Sequence, residues 1–140
     1  MTGLRFLLDT NILSEPLRPH PNPNVMAMLA EHDTEIATAT VVYHEMLFGR
    51  DLLPESKKRR ALELYLQREI EAKLPVLPYD LLAAQWHASE RARLVKLGKT
   101  PSFADGQIAA ISQANDLILV TNNKVDFESF LDLQLENWFA

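Results

Sequence analysis

Four carboxylates in this 140-residue chain stand where acids do more than dress a surface: Asp9, Glu45, Asp105 and Asp126. Asp9 directly follows an apolar run at residues 4–8 that reads as a buried strand. Open parallel sheets gather ligands at the carboxyl ends of their strands. Asp126 lies six residues past Val120, in the loop after a second apolar run at residues 117–120. Asp105 falls in the first turn of a helix that Ser102 begins. Glu45 shares one candidate helical register with Val42, Met46, Gly49 and Leu53, which buries it. A second register, Tyr43, Met46, Leu47 and Arg50, exposes it. Each acid also has a plain structural use. Asp9 suits a helix N-cap, Ser102 and Asp105 suit a capping box, Asp126 suits a turn before Phe127, and Glu45 suits an exposed face.

Gathered in one place, four carboxylates raise one another's pKa. Protonation relieves that repulsion, and so does a divalent cation. Mg²⁺ and Mn²⁺ prefer oxygen ligands, and Mg²⁺ shares its shell with water and substrate phosphates. The chemistry that follows is phosphodiester hydrolysis by metal-activated water. It needs no side-chain nucleophile, in keeping with a chain that has no cysteine. Other chemistries fit worse. His20, His32, His44 and His87 form no pair at metal-binding helix spacing, and His44 points about 100° away from Glu45 on a helix. Neither a glycine-rich nucleotide loop nor a Gly-x-Ser-x-Gly elbow is present.

The elements that must position these acids follow from the pattern. Short strands are expected at 4–8, 35–39, 117–120 and 131–138, the last at an edge. Helices are expected at 25–32, 42–53, 57–73, 80–97 and from Ser102 to Asn115, with Gly98 closing the fourth. The prolines at 16–23 and 75–78 read as connections within one domain. Alternating strands and helices give an α/β sandwich on a mostly parallel sheet, whose strand order stays open. Length and an apolar content of 47% suit a single domain, 1–140, with a real core. No apolar run approaches a membrane span, and no secretory signal precedes LRFLLDT, so a cytoplasmic location without membrane contact is expected. The net charge of −5 is unevenly placed. Residues 1–56 carry 3 basic and 8 acidic side chains, 57–104 carry 10 and 5, and 105–140 carry 1 and 6. The basic run Lys57, Lys58, Arg59, Arg60 is either a solvated helix start or part of a nucleic-acid path.

The segments LLDTNIL (7–13), YHEMLFGR (43–50), SFADGQIAAIS (102–112), LILVTNNKVDFESF (117–130) and LQLENW (133–138) together resemble the PIN domain. More narrowly, they resemble the VapC-type toxins of prokaryotic toxin–antitoxin pairs. The resemblance implies a PIN-like three-layer sandwich with a five-stranded parallel sheet flanked by helices. It implies an endoribonuclease dependent on Mg²⁺ or Mn²⁺, with Asp9, Glu45, Asp105 and Asp126 as the acidic quartet. Asp9, Asp105 and Asp126 would hold the main ion, and Glu45 would support a second ion or a water. Asn11, Thr121 and Asn123 match the polar residues that orient them; Asn122 stands where many relatives carry Arg. The resemblance also implies a homodimer, a cognate antitoxin that blocks the site, and operator DNA bound only through that antitoxin. The TNN and LENW segments resemble a subgroup that cuts tRNA. Two other readings stay open: a non-catalytic RNA- or protein-binding domain of the same fold, and an aspartate-based phosphatase or receiver on a similar sheet.

Overall fold

The computed structural model describes residues 3–139; Met1, Thr2 and Ala140, the ends of the expected domain, lie outside the described residues. Five short strands form one parallel sheet: β1 (Phe6–Leu8), β2 (Ile36–Ala39), β3 (Val76–Leu77), β4 (Ile118–Val120) and β5 (Leu135–Glu136), in the order β3-β2-β1-β4-β5. β1 is central and entirely buried, hence its unbroken apolar sequence. Leu8 stands opposite Thr38 on one side and Val120 on the other. Thr38 is buried, and its hydroxyl donates to Leu8 O at 2.8 Å, so no polar group is stranded in the core.

The chain builds the sheet outward from β1 to β3, then returns to lay β4 and β5 on the other side. The direction of winding therefore reverses between β1 and β4, the kind of crevice where parallel sheets bind ligands. Asp9 leaves β1 at that crevice, its N–H donating to Val120 O at 3.0 Å.

Helices connect the strands: α1 (Thr10–Leu13), α2 (Pro23–Glu31), α3 (Thr40–Leu52), α4 (Lys57–Tyr65), α5 (Leu81–Lys96) and α6 (Phe103–Ala114). Their starts are written locally. Asn22, Ser56, Asp80 and Ser102 each accept a first-turn N–H on the side chain, and Pro23 occupies the first helical turn of α2. Gly98, at φ +79°, ends α5 in the left-handed region that glycine tolerates best. One apolar core runs through the sheet and includes Trp138, Phe6 and Phe127. Among the described residues no helix is long and apolar enough to cross a membrane.

Three expectations are corrected. The helix expected over 57–73 is α-helical only to Tyr65, then widens into a π-helical segment, Leu66–Glu71, whose buried residues are Leu66 and Ile70. The proline-flanked stretch at 75–78, read as a connection, contains β3. An edge strand accepts prolines at its ends, and Pro75 O takes the Thr38 N–H at 3.0 Å. The strand expected over 131–138 shrinks to β5, and at the start of that range Asp132 turns the chain at φ 60°.

Candidate active site

Asp9 is 7% exposed and caps α1. Its Oδ1 accepts the Thr10 N–H at 2.8 Å, and its Oδ2 accepts the hydroxyl of Thr121, itself fully buried, at 2.8 Å. The Thr121 oxygen also accepts the Asn123 N–H at 3.0 Å, so one hydroxyl joins the acid to the loop after β4. Asn11 makes a second stitch, its Oδ1 accepting the Asn122 N–H at 3.0 Å. Asn11 and Thr121 thus tie Asp9 and α1 to the loop after β4. Asn123 contributes its backbone N–H, while the residue itself is exposed. Thr121→Val keeps the shape but removes the donor. It is expected to cost about 1.5–3 kcal/mol in urea denaturation at neutral pH, the range for a hydrogen bond to a charged group.

Asp105 is half-buried at the start of α6, with its N–H donating to Ser102 Oγ at 3.0 Å. Asp126 is exposed on a short 3₁₀ turn, Lys124–Asp126. At Glu45 the structure decides what two open registers left undecided. The buried residues of α3 are Val42 and Met46, and Glu45 is exposed, since the stripe that faces the core passes beside it. Even so, Asp9 and Asp105 feel the other acids. Burial pushes the Asp9 carboxyl above its ordinary range; the Thr10 and Thr121 hydrogen bonds oppose this, and Asp126 and Glu45 add to it. Burial also raises Asp105; the Ser102 hydrogen bond opposes this, and Asp9, Asp126 and Glu45 add to it. As placed, no three His, Cys, Asp or Glu side chains among the described residues converge closely enough to grip one ion. Two of the four instead face open space, with Asp9 and Glu45 outside its lining. Asp105 and Asp126 line a cavity of about 610 Å³, together with Lys99, Thr100, Ser102 and Ser129.

The sequence profile of the PIN domain matches residues 6–130. The chain belongs to the PIN-domain family. Toxin FitB of Neisseria gonorrhoeae is 36% identical over 130 residues, spanning 87% of this chain and 90% of that protein. The tRNA(fMet)-specific endonuclease VapC of Shigella flexneri is 29% identical over 137 residues, 96% of this chain and 98% of that one. The crystal structure of DNA-bound VapBC from Salmonella typhimurium matches with a TM-score of 0.82 at 26% identity, covering 96% of this chain and 98% of that chain.

Two features of this PIN domain escape a reading of the sequence alone. The first is the wall of the acidic cavity: Lys99, Thr100 and Ser102 come from the loop into α6, and only the fold carries them to Asp126. The second is His87, 3% exposed on α5. It shares a 2.8 Å hydrogen bond with the Tyr79 hydroxyl, and its ring lies against Gly106, the residue after Asp105. A glycine inside a helix costs stability, and it was the available signal for this close approach. Burial holds the His87 imidazole below its ordinary pKa, with Arg91 adding to the effect, so the ring packs neutral near pH 7. In the basic run, the Arg59 guanidinium is spent on structure: Nε donates to Glu63 at 2.9 Å and Nη1 to Leu53 O at 2.7 Å.

Proposed function

We propose that this PIN domain is the endoribonuclease toxin of a VapBC-type pair, hydrolysing RNA with water activated by bound Mg²⁺ or Mn²⁺. The observation that carries the reading is the coupling of Asp9 and Asp105, two acids held above their ordinary range by burial and by their acidic neighbours. A site that resists its own ionisation gains most from a divalent cation. The donor set suits such an ion, since carboxylate oxygens are what hard dications prefer. Since the side chains as placed do not converge on one ion, water would complete its shell, as Mg²⁺ commonly requires. Asp9, Asp105 and Asp126 would hold it, with Glu45 reached through a second ion or a water. Bound there, the ion supplies an acidified water and charge compensation at the leaving oxygen.

The rest falls to the chain's own groups. Thr10 N–H and Thr121 Oγ hold both oxygens of Asp9, so its remaining lone pairs keep one direction. Asn11 fixes the loop over the crevice at Asn122. That bond also weighs against an aspartate-based phosphatase, since position 11 anchors a loop and offers no second acid. Lys99 brings a positive charge to the cavity wall, where an RNA phosphate would approach.

The reading extends to partners. An antitoxin covers the acidic site and brings the pair to operator DNA, and the toxin pairs with a second copy of itself in the cytoplasm. The substrate we propose is a tRNA. The two segments behind that choice meet in space, Asn137 Nδ2 donating to Asn122 Oδ1 at 3.2 Å. Titration calorimetry with Mn²⁺, followed by sequencing of RNA ends after cleavage with and without chelator, tests the proposal. Binding at or below millimolar metal and chelator-sensitive cuts in tRNA are expected. Absence of metal binding would return the chain to the non-catalytic reading. Lys57, Lys58 and Arg60, unlike Arg59, are exposed. If they line the RNA path, reversing all three charges flattens the salt dependence of RNA binding, by about 0.7 in log–log slope per lost single-strand phosphate contact. An unchanged slope would remove them from the path.

A further inference from the structure

We infer that Glu90 and Arg93 of α5 are positioning residues for Asp126, acting as a clamp on the loop that carries it; this rests on the metal-dependent reading above. Glu90 is 7% exposed in the middle of a helix, an expensive place for a carboxylate. Its Oε1 accepts the Leu131 N–H at 2.7 Å and Arg93 Nη2 at 2.9 Å, and its Oε2 accepts Arg93 Nε at 2.9 Å. Arg93 Nη2 in turn donates to Ser129 O at 2.8 Å. The pair therefore grips the backbone on both sides of Phe130.

From there a run of turn bonds leads to the acid. Phe130 N–H donates to Phe127 O, Phe127 N–H to Lys124 O, and Asp126 N–H to Asn123 O. Asn123 N–H donates to the same Thr121 hydroxyl that holds Asp9. The loop is thus fastened at one end to Asp9 and at the other to α5, with Asp126 between.

Two phenylalanines already seat the loop in the core, Phe127 at 1% and Phe130 at 5% exposure. Apolar contacts set its depth but carry no direction. A bidentate arginine–carboxylate fork does carry direction. Glu90 is buried and Arg93 partly exposed, so what the pair adds to these apolar contacts is chiefly the register its fork imposes on the loop.

The test compares wild type with Glu90→Gln and Arg93→Lys. The Glu90→Gln change keeps an acceptor for the Leu131 N–H but loses the charged fork. Lysine cannot fork, and Arg93 is exposed enough for its replacement to be the milder of the two. Three quantities are read: Mn²⁺ affinity by calorimetry, hydrogen exchange of amides 123–131, and kcat and KM on RNA. Both variants are expected to hold the wild-type circular dichroism spectrum. They should bind Mn²⁺ up to about 10-fold more weakly, the low end of what losing a direct outer partner of a metal ligand costs, since the clamp acts on Asp126 through the loop backbone. Exchange should quicken across 123–131 but not in α6, and kcat should fall with KM for RNA unchanged. Ile70→Val, a core change in the π-helical segment, supplies a comparison for lost stability alone and should leave Mn²⁺ affinity where it was. The clamp is overturned if the variants melt earlier yet bind Mn²⁺ like wild type, or if Ile70→Val weakens binding equally. A wild type that binds no Mn²⁺ removes the parent reading and the clamp with it; wild-type binding with unaffected variants removes the clamp alone.

Discussion

Asp105→Asn is expected to reduce RNA cleavage about a thousandfold, equivalent to roughly 4 kcal/mol of transition-state stabilisation. The metal-free protein should meanwhile be at least as stable as wild type near pH 7. Both halves follow from the same cause. Asp105 is raised first by burial and then by Asp9, Asp126 and Glu45. A carboxyl whose folded pKa lies above its unfolded one adds stability while protonated, below the unfolded pKa, and loses it as pH rises through the folded pKa. Wild type without metal should therefore weaken as pH climbs from the ordinary carboxylate range through the raised values of Asp9 and Asp105. The asparagine variant, lacking one of these titrations, should decline less. Divalent metal reverses the ranking. At 100 times Kd it adds about 2.7 kcal/mol to wild type and far less to the variant. Thermal melts across pH, with and without Mn²⁺, check the prediction. A variant that cuts RNA at the wild-type rate would remove Asp105 from the mechanism.

Gly106→Ala carries the second large effect, now on structure. A methyl group at position 106 would run into His87 Nε2 and come within 2.8 Å of Cδ2 and 3.0 Å of Cε1. The ring cannot simply swing aside. Tyr79 holds it by a hydrogen bond and an edge-on ring contact, and Phe103 packs against it at 4.9 Å. Overpacking of this kind costs about 1–3 kcal/mol, more than the roughly 1 kcal/mol that alanine recovers in helix propensity. Activity should fall as well, because the displaced turn of α6 bears Asp105. Substituting His87→Ala in the Gly106→Ala background makes room for the methyl. The double variant should then be more stable than the sum of the two single changes allows. Denaturation of the four proteins measures that coupling, and strict additivity would mean that the ring and the glycine do not meet.

How far each residue could be read depended on how local its role is. Asp9 at the end of a strand and Asp105 three residues after a capping serine are short-range patterns, and the structure finds both acids in those places. Glu45 was ambiguous for a physical reason. Two helical stripes fitted its neighbours equally well, and the packed helix follows neither cleanly, burying Val42 and Met46 while Glu45 stays exposed. Strand β3 was hidden because prolines at both ends of a two-residue strand look like a loop until an edge position makes them harmless. His87 and Glu90 were invisible as a pair of supports, since helical spacing places them on α5 but says nothing of what crosses above them.

By itself, the sequence determined the alternation of strands and helices apart from β3, the helix starts to within about two residues, and an acid complement suited to a hard dication. These depend on periodicity, capping and residue chemistry, all of which act over a few positions. The tertiary structure alone decided the order β3-β2-β1-β4-β5, the meeting of Asp9 with Thr121 across 112 residues, and the grip of α5 on the loop of Asp126. Contacts at that separation are chosen by how whole elements bury their faces together, and no short stretch of chain encodes that choice.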